Sequence, residues 1–445
     1  MECFTVYADE IEGRIDPLPY HPIRLSTIKK LKTSKFQLLP LKEVAEFIKK
    51  VVTSKTDDLV YIGLENIEPN TGTFIPSKGE KENFGTALKF EKGDILFPKL
   101  RPYLNKVYLA EFEGVCSTEF HVLKAQKCDK MYLFCFLNSR FVANQTTYLM
   151  TGNTLPRLQT ADVENLLIPI PPAQIQNKIA ELMKRIREIR KSKESETRQL
   201  LDSINDYVLD ELGIKLPELK DEMFYTVNSK EVEKKRFDPF YYQPKFEEVE
   251  EAVKKGKFEV KEIGSTIVVN SKLEDINGYE KINYVDLSSI GKDNGRIKNI
   301  SILTSSEAPS RAKQKLENGD LLLAGLSGSL KSIAFFDKDG DNFICSTGFY
   351  VIKQSGNYNN YYLWALFRSP LYQYLLNREA TGAIMSAINR ESLLKLKIPL
   401  PPLSVQDKIA GEIETRVNKA ERLRKEAKEG LEKAKQEVET LILSV

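Results

Sequence analysis

Two stretches of sequence decide the fold, and each begins with prolines. Residues 168–180 read IPIPPAQIQNKIA, and residues 398–410 read IPLPPLSVQDKIA. Proline lacks the amide hydrogen and fixes φ, so the Pro-x-Pro-Pro runs predict rigid extended segments rather than helix interiors. Beyond them the sequence has no proline and almost no glycine, from about Ala173 to Leu212 and from about Leu403 to the C-terminus. We therefore expect two long helices.

The apolar positions of these helices predict that they pack together. In the second helix they alternate three- and four-residue steps, which is the 3.5-residue average of a coiled-coil seam. The first helix has a similar stripe, interrupted by a polar stretch from Arg190 to Gln199. A single solvated helix would explain either stripe alone, whereas two stripes at equivalent places favour mutual packing. The predicted seam residues are Ile175, Ile179, Leu182, Ile186, Ile189, Leu200, Ile204 and Val208, then Ile409, Ile413, Val417, Ala420, Leu423, Ala427, Leu431, Ala434, Val438 and Leu441.

The two junctions belong to a longer internal repeat. Six pairs of segments match in the same order, at an offset that grows from 221 to 230 residues. Two unrelated domains would not keep this order, so the chain is a duplication of one unit. The other five pairs are 4–12 with 225–233, 14–22 with 236–244, 61–72 with 284–295, 91–97 with 317–323, and 116–124 with 345–353.

The repeat and the helices together predict an α+β fold with pseudo-two-fold symmetry. We expect a first globular domain over residues 1–172 and a second over 213–402, with long helices over 173–212 and 403–445. Under such symmetry the two helices are antiparallel. At 1.5 Å per residue, about 38 helical residues span roughly 57 Å, so the helices would act as a spacer between the domains.

The composition indicates an ordinary globular protein. The net charge is +3, from 66 basic and 63 acidic residues, so any basic surface must come from local clustering. Five cysteines without a C-x-x-C pair argue against a disulfide scaffold, and two histidines argue against a His-based metal site. We expect a soluble cytoplasmic protein with no membrane partner, because neither a signal-peptide pattern nor a membrane-length apolar run is seen.

The residues that look reactive have simpler structural interpretations. KGDILF and NGDLLL predict a Gly-Asp turn entering a buried strand, with Asp94 and Asp320 as turn residues. CSTEFHVLK and CSTGFYVIK alternate apolar and polar residues, which predicts a half-buried strand with Cys116 and Cys345 in the core. No methyltransferase, phosphate-loop or nuclease motif is recognisable, and no Ser/His/Asp set is credible. This absence is compatible with a protein that has no catalytic site and no bound cofactor of its own.

Together these motifs resemble the specificity subunit of type I restriction-modification systems. The resemblance lies in IPIPPAQIQ and IPLPPLSVQ, each leading into a long helix, in the GDIL-type strand, and in KLRPYLNKV (residues 99–107) followed by CSTEF. It covers essentially the whole chain. It implies that each globular unit is a target recognition domain, reading one part of a split, asymmetric sequence in double-stranded DNA.

The resemblance also implies partner subunits. In that family the paired helices set the unread gap and dock two methyltransferase subunits, which carry the S-adenosylmethionine site. Motor-nuclease subunits, which use ATP and magnesium, join for restriction. The specificity subunit itself would be a non-catalytic targeting subunit.

Candidate DNA-contacting residues in the first unit lie in a short basic segment. Lysine and arginine supply phosphate contacts, whereas arginine pairs with guanine and asparagine with adenine in bidentate fashion. We predict Arg101 as a direct reader. The alternative is a solvated basic edge with Tyr103 packed inward. The candidates are Lys99, Arg101, Tyr103, Asn105 and Lys106.

The second unit differs at the corresponding place. AGLSGSLKS (residues 324–332) has lost most of the charge, as two different half-sites would require. A second candidate segment is TGNTLPRLQ (151–159), matched by TGAIMSAIN (381–389). For Thr160 and Asn389 the alternative is a helix N-cap. The candidates here are Ser327, Ser329 and Lys331, with Asn153, Arg157 and Gln159 in unit one and Asn389 and Arg390 in unit two.

Two other functions are compatible with the sequence. The first is the targeting subunit of a type IIB or IIG-like system, which would read DNA in the same way with different partners. The second is a coiled-coil scaffold that binds proteins and not DNA. The recognised sequence, the gap length and the stoichiometry depend on loop geometry and assembly that one sequence does not determine.

Overall fold

The structure is a computed structural model, which describes residues 4–5, 11, 15–53, 59–76, 85–152, 156–220, 222, 224–232, 236–381 and 386–443. Its internal contacts divide the chain into two compact units. The first comprises residues 1–192 and 426–445, and the second comprises residues 193–425. Each unit mixes helices and sheets, so the predicted fold class is confirmed.

The described residues of the first unit form two four-stranded sheets and one two-stranded sheet. Their strand orders are β2-β9-β6-β7, β3-β5-β8-β4 and β1-β10. The elements are α1 (Pro22–Lys32), β1 (Gln37–Pro40), α2 (Leu41–Val44), β2 (Ala45–Ile48), β3 (Val51–Val52), β4 (Val60–Ile62), β5 (Ala87–Phe90), β6 (Ile95–Pro98), β7 (Tyr108–Leu109), β8 (Gly114–Ser117), β9 (Phe120–Ala125), α3 (Lys130–Leu137), α4 (Arg140–Thr147), α5 (Thr160–Glu164), β10 (Leu167–Ile170) and α6 (Ala173–Leu212).

The second unit has sheets in the orders β13-β12-β17-β14, β16-β15-β18, β11-β21 and β19-β20. Its elements are α7 (Ser229–Val232), α8 (Pro244–Lys254), β11 (Val260–Glu262), α9 (Ile263–Thr266), β12 (Lys281–Val285), β13 (Ser301–Thr304), β14 (Ala312–Lys315), β15 (Leu321–Ala324), β16 (Ile333–Phe335), β17 (Phe343–Ser346), β18 (Phe349–Ile352), α10 (Asn360–Arg368), α11 (Pro370–Glu379), β19 (Ala380–Thr381), β20 (Ala387–Ile388), α12 (Arg390–Lys395), β21 (Lys397–Pro399) and α13 (Leu403–Leu443).

Strand pairing repeats between the units, as the sequence duplication predicts. One parallel pair occurs in each, β4 with β8 and β12 with β17, among otherwise antiparallel neighbours. Cys116 lies opposite Ile62 in the first pair, and Cys345 lies opposite Val285 in the second. Both thiols are fully buried, which confirms them as core residues. Burial raises the pKa of Cys116 to about 12, so its thiol stays protonated at neutral pH.

The two Gly-Asp turns confirm the structural interpretation of their aspartates. The carboxylate of Asp94 accepts the amide of Glu91 at 2.8 Å, and that of Asp320 accepts the amide of Glu317 at 2.8 Å. Each turn leads into a fully buried strand, β6 or β15. Because the same closing hydrogen bond occurs in both copies, both carboxylates serve the fold.

The prediction of one half-buried strand over CSTEFHVLK is wrong. The segment forms two strands, β8 and β9, separated by Thr118 and Glu119. They belong to different sheets, so the chain crosses between sheets at this turn. The alternation of apolar and polar residues wrongly predicted a strand with one exposed face, because β9 is buried on both faces over its first four residues.

The proline-rich junctions are fixed to the core helices α3 and α10 by matching hydrogen bonds. The hydroxyl of Tyr132 donates to the Pro169 carbonyl at 2.5 Å, and that of Tyr362 donates to the Pro399 carbonyl at 2.8 Å. A glutamine in the first turn of each long helix binds the junction that precedes it. The side-chain amide of Gln176 donates to the Pro171 carbonyl at 2.7 Å, and that of Gln406 donates to the Pro401 carbonyl at 2.8 Å.

The long helices α6 and α13 divide their residues between the two units. In the second unit they are antiparallel, since residues with higher numbers on α13 pair with residues with lower numbers on α6. Glu211 pairs with Lys408 at 2.9 Å, and Glu196 pairs with Lys419 at 2.8 Å. In the first unit Met183 of α6 lies in the same apolar cluster as the C-terminal part of α13.

The seam prediction holds for α13 and fails in part for α6. Every predicted α13 position from Ile409 to Val438 is buried, and Ile442 replaces Leu441 at the end. On α6, Ile189 is 41% exposed, whereas Met183 and Thr197 are buried. The error follows from assuming a strict apolar stripe, because a polar threonine takes one inward position.

Candidate nucleic-acid interface

The two candidate segments of the first unit lie side by side. Leu100 and Arg157 form a β-bridge, and the amide of Leu158 donates to the Lys99 carbonyl at 2.9 Å. We call residues 99–106 and 156–159 the first loop pair. Because backbone hydrogen bonds join the two segments, side chains from both share one surface.

The second unit brings its candidate segments together in the same way. Leu326 and Ala387 form the equivalent bridge, and the amide of Ser327 donates to the Ser386 carbonyl at 2.8 Å. We call residues 324–332 and 386–390 the second loop pair. The sequence comparison predicted equivalent segments, and the structure adds that they are neighbours within each unit.

Arg101 and Tyr103 are the outward-facing residues of the basic segment. Arg101 has a left-handed backbone, with φ of 48°, and an exposed side chain. Its guanidinium has no hydrogen bond or ion pair to any residue that the structure describes. Tyr103 is 51% exposed, which contradicts the alternative in which it packs inward. The loop therefore presents a free cation beside an exposed ring.

Asn105 has a structural role in place of the predicted DNA contact. It is 6% exposed, and its amide donates to the Asn138 carbonyl at 2.9 Å. Its φ of 49° is also left-handed, a conformation that costs a non-glycine residue about 1–3 kcal/mol. The buried hydrogen bond holds that conformation, so the amide cannot reach a base.

The two lysines of this segment are half-buried and also bind backbone. The ammonium of Lys99 donates to the Thr118 carbonyl at 2.7 Å, and that of Lys106 donates to the Leu64 carbonyl at 2.7 Å. Burial lowers the pKa of Lys99. Both lysines hold the loop while contributing positive charge behind it.

The other half of the first loop pair contains an ion pair. Arg157 binds both carboxylate oxygens of Glu119, at 2.8 and 3.1 Å, and Gln159 donates to the Thr151 hydroxyl at 2.7 Å. Asn153 lies outside the described residues. The N-cap prediction for Thr160 is wrong, because α5 begins at Thr160 and Gln159 occupies the cap position.

In the second loop pair the exposed groups are few and small. Ser327 and Ser329 bound a short 3₁₀ helix, and Lys331 is exposed with no ammonium partner among the described residues. Asn389 accepts the amide of Ser392 at 2.8 Å, which confirms its N-cap alternative. Arg390 donates to the carbonyls of Val269 and Asn270, both at 2.8 Å, so it fixes the loop and does not face outward.

One basic residue near the first loop pair was missed from the sequence. Lys49 is exposed after β2, and its charge acts on both Lys99 and His121. Lys49 adds a positive charge to this region, whereas the charge of Arg157 is paired with Glu119. The signal was the Lys-Lys doublet at 49–50, but its position depends on pairing between β2 and β9, which the sequence pattern did not reveal.

The segment Arg-x-Asp-Pro, residues 236–239, supports the strand pair beneath the second loop pair. Arg236 donates to the carbonyls of Arg378 and Ala380, at 3.0 and 3.3 Å. Both guanidiniums lie over the ring of Tyr241, at 4.7 Å for Arg236 and 4.3 Å for Arg378. Ala380 pairs with Ile388, so these contacts support the strand pair that carries the loop.

The site contains no metal-ligand cluster among the described residues, in which no group of three or more His, Cys, Asp or Glu side chains could hold an ion. In the same residues no helix is long and apolar enough to cross a membrane. The geometry is that of two polar loop surfaces built on one repeated frame, with different exposed groups in each copy.

A family model described as the type I restriction modification DNA specificity domain matches residues 33–202 and again 257–433. The chain belongs to this family. The two matches fall on the two halves of the internal repeat. The chain is thus a type I restriction-modification specificity subunit, and neither the type IIB or IIG-like alternative nor the protein scaffold is favoured.

Two curated specificity subunits are similar in sequence. The EcoDI specificity subunit of Escherichia coli is 28% identical over 122 residues, which is 27% of each chain. The MjaVIII specificity subunit of Methanocaldococcus jannaschii is 24% identical over 428 residues, 90% of this chain and 91% of its own.

Three solved structures match most of the chain at low sequence identity. A chain from a type I R-M system, in a study of complex assembly, covers 92% of this chain and 96% of its own at 18% identity, with a TM-score of 0.49. The HsdS subunit from Thermoanaerobacter tengcongensis covers 92% and 95% at 19% identity, with a TM-score of 0.35. The S subunit from M. genitalium covers 92% and 95% at 13% identity, with a TM-score of 0.49.

Specificity subunits of this family are generally non-catalytic. They bind DNA and act with methyltransferase and restriction subunits.

Proposed function

We propose that this specificity subunit binds double-stranded DNA through its two loop pairs and reads one half of a bipartite, asymmetric site with each. In the first half, Arg101 reads a base edge, and Tyr103 packs beside it. Lys49, Lys99 and Arg157 supply positive charge toward the phosphates. In the second half, Ser327, Ser329 and Lys331 make the contacts.

A single observation carries this proposal. The loop pairs occupy equivalent places on a repeated frame, and their exposed groups differ. Unit one presents a free guanidinium at Arg101, whereas unit two presents small hydroxyls and a glycine at the matching segment. A shared frame with divergent tips is what reading two unlike half-sites requires, because base contacts specify sequence and phosphate contacts position the protein.

We further propose that partner subunits supply the chemistry of the complex. The subunit docks two methyltransferase subunits and the motor-nuclease subunits, and it catalyses nothing itself. S-adenosylmethionine, ATP and magnesium bind those partners and not this chain. The long helices set the gap between the half-sites. Action on cellular DNA places the complex in the cytoplasm.

Two substitutions at Arg101 test the role of its guanidinium. Glycine accepts the left-handed backbone, so Arg101→Gly removes the side chain without straining the loop. We expect it to weaken binding by about 1–3 kcal/mol and to relax one base of the first half-site. Arg101→Lys keeps the charge but loses the planar fork of the guanidinium, so specificity should relax with little loss of affinity. The readout is the methylated motif in host DNA, with a cognate methyltransferase subunit co-expressed.

Lys92→Ala is the matched control, because Lys92 is an exposed cation in the Gly-Asp turn of the same unit. It should leave motif and affinity unchanged. An unaltered motif and affinity in both Arg101 variants would remove Arg101 from the interface. A complex that methylates no bipartite site would overturn the proposed function as a whole.

A further inference from the structure

A repeated turn in each unit contacts the long helices, and its contacts differ between the copies. In the first unit this turn is Asn66–Phe74, closed by a bridge between Ile67 and Phe74. Gly72 has a φ of +64°, and a β-carbon there would lie 2.5 Å from the Val107 carbonyl oxygen. The turn is therefore rigid and closely fitted to its own domain.

The first turn meets both long helices. Glu68 Oε2 lies 2.5 Å from Arg190 Nη2 on α6, and Arg190 Nη1 donates to the Thr73 hydroxyl at 3.4 Å. From α13, the ammonium of Lys435 donates to the Asn70 carbonyl. The side chain of Arg190 is 12% exposed. Burial alone would raise the pKa of Glu68, but hydrogen bonds from Thr71 and Arg190 outweigh it and lower that pKa.

The second turn, Ser289–Ile297, has the same closure with other side chains. Ile290 and Ile297 form the bridge, and Gly295 has a φ of +63°. Arg296 lies 2.9 Å from Glu421 on α13 and donates to Asn418 at 3.3 Å. Arg424 of the same helix lies 3.2 Å from Asp293.

The turns and the helices pair their charges differently in the two copies: the Asp293–Arg424 pair of the second unit keeps the polarity of Glu68–Arg190, whereas the Arg296–Glu421 pair reverses it. In the first unit the turn supplies the carboxylate, Glu68, and the helix supplies the guanidinium, Arg190. In the reversed pair the turn supplies the guanidinium, Arg296, and the helix supplies the carboxylate, Glu421. Thr73 is the first-unit equivalent of Arg296, because each residue directly follows the glycine of its turn, Gly72 or Gly295. Lys191 is the equivalent of Glu421, because the two lie equally far along their helices from Gln176 and Gln406. An arginine at position 73 would therefore face Arg190 and Lys191, and like charges repel.

We propose that the turns Asn66–Phe74 and Ser289–Ile297 are keyed latches that fix the orientation of each recognition domain on the long helices and that accept only the helix segment of their own unit. This inference rests on the proposed function, since it assigns the latches to positioning the two loop pairs on DNA. The latch residues are positioning residues, because none of them lies in a loop pair. Their effect should appear in the accepted gap and not in the bases read.

The first test opens the latch and restores it with reversed polarity. Arg190→Glu places two carboxylates together, so we expect the yield of methylation at the bipartite site to fall about tenfold. Sites whose gap between the half-sites is one base pair longer or shorter should also become methylated. Both half-site sequences should stay unchanged. The double variant Glu68→Arg/Arg190→Glu should recover the single gap. The readout is sequencing of methylated adenines, with the full chain in its methyltransferase complex.

The second test asks whether each turn accepts only the helix segment of its own unit. Thr73→Arg should widen the range of accepted gaps when the helix is native. The added changes Arg190→Ala/Lys191→Glu, which copy Ala420 and Glu421 of the second unit, should restore the single gap. Lys127→Glu is the control, because it breaks an exposed ion pair with Glu43 in the same unit. It should change neither gap nor yield. Glu68→Gln keeps the shape of the side chain, so it opens the latch with the least risk to folding.

The outcomes separate the two proposals. If the parent complex methylates sites with a single gap, and Arg190→Glu and Thr73→Arg keep the same gap and yield, the latch is overturned and the proposed function stands. Broadened gaps that the compensating changes fail to restore would overturn the keyed polarity. A change of half-site sequence in the latch variants would show that these residues read bases and would also overturn the inference.

Discussion

Among single residues, His121 shows how burial sets chemistry beneath the first loop pair. Its ring is 7% exposed and lies edge-on to Phe47, with ring centroids 5.4 Å apart. Its Nε2 is buried without a hydrogen-bond partner among the described residues. Burial, then the positive charges of Lys99 and Lys49, lower its pKa to about 4. The fold therefore accepts the neutral ring.

This depressed pKa predicts a loss of stability on mild acidification. Between about pH 6.5 and pH 4 the unfolded chain binds a proton that the folded chain does not, so the free energy of unfolding falls as the pH falls. From pH 7 to pH 5 this residue should account for about 2 kcal/mol. His121→Phe removes the titration, so the difference in stability between variant and parent should change by that amount in urea unfolding. Parallel pH curves would contradict the prediction.

At the scale of elements, Gln176 joins α6 to the core helix α3. Its carbonyl oxygen accepts the amide of Asp129 at 2.8 Å, and its amide donates to the Pro171 carbonyl. In the second unit Gln406 makes the same two contacts, with Asn359 and Pro401. Each long helix is thus anchored at its first turn to the N-terminus of the helix beneath it.

Removing this anchor should destabilise the first unit. Gln176→Ala leaves the partly buried amide of Asp129 and the buried carbonyl of Pro171 unpaired, so we expect the free energy of unfolding to fall by about 1–3 kcal/mol. Gln174→Ala is the matched control, since Gln174 is exposed on the same turn and its loss should cost less than about 0.5 kcal/mol. Chemical denaturation of the two variants measures the difference. Equal stabilities would show that the anchor contributes nothing.

Elements defined by local pattern were predictable, and those defined by distant contacts were not. Proline placement predicted α6 and α13, and the duplication predicted matching strands in both units. Arg390 was misassigned because only the folded chain brings the carbonyls of Val269 and Asn270 to it. Asn105 was misassigned for the same reason, since its partner Asn138 lies on another element. The exposure of Arg101 and Tyr103 agrees with their prediction as outward-facing candidates, whereas the left-handed backbone of Arg101 had no signal in the sequence pattern.

At the scale of the whole molecule, the length of the helices is the quantity that the proposed function uses. Deleting four residues from α6 removes about one helical turn, roughly 6 Å of rise. We expect the accepted gap between half-sites to shorten, or methylation of the bipartite site to be abolished, because the α6 and α13 registers no longer agree. Mapping of methylated adenines gives the gap directly.

Residues 191–194 lie in the polar stretch of α6 and suit this deletion. Replacing the same four residues with alanine keeps the length and serves as the control, which should leave the gap unchanged. A deletion variant with an unaltered gap and undiminished methylation would show that the helices do not measure the distance.

The division of the helices between units has a consequence for synthesis on the ribosome. Residues 193–425 form a continuous stretch, whereas the first unit needs residues 426–443 as well as 15–192. At about 5–20 residues per second, the nascent first domain waits roughly 12–47 s for its missing helical partner. The usual N-terminal-first order is then reversed, and chaperones have that interval in which to hold the exposed face of α6. A released chain truncated after residue 425 should resist protease over 193–425 while residues before 193 are cut.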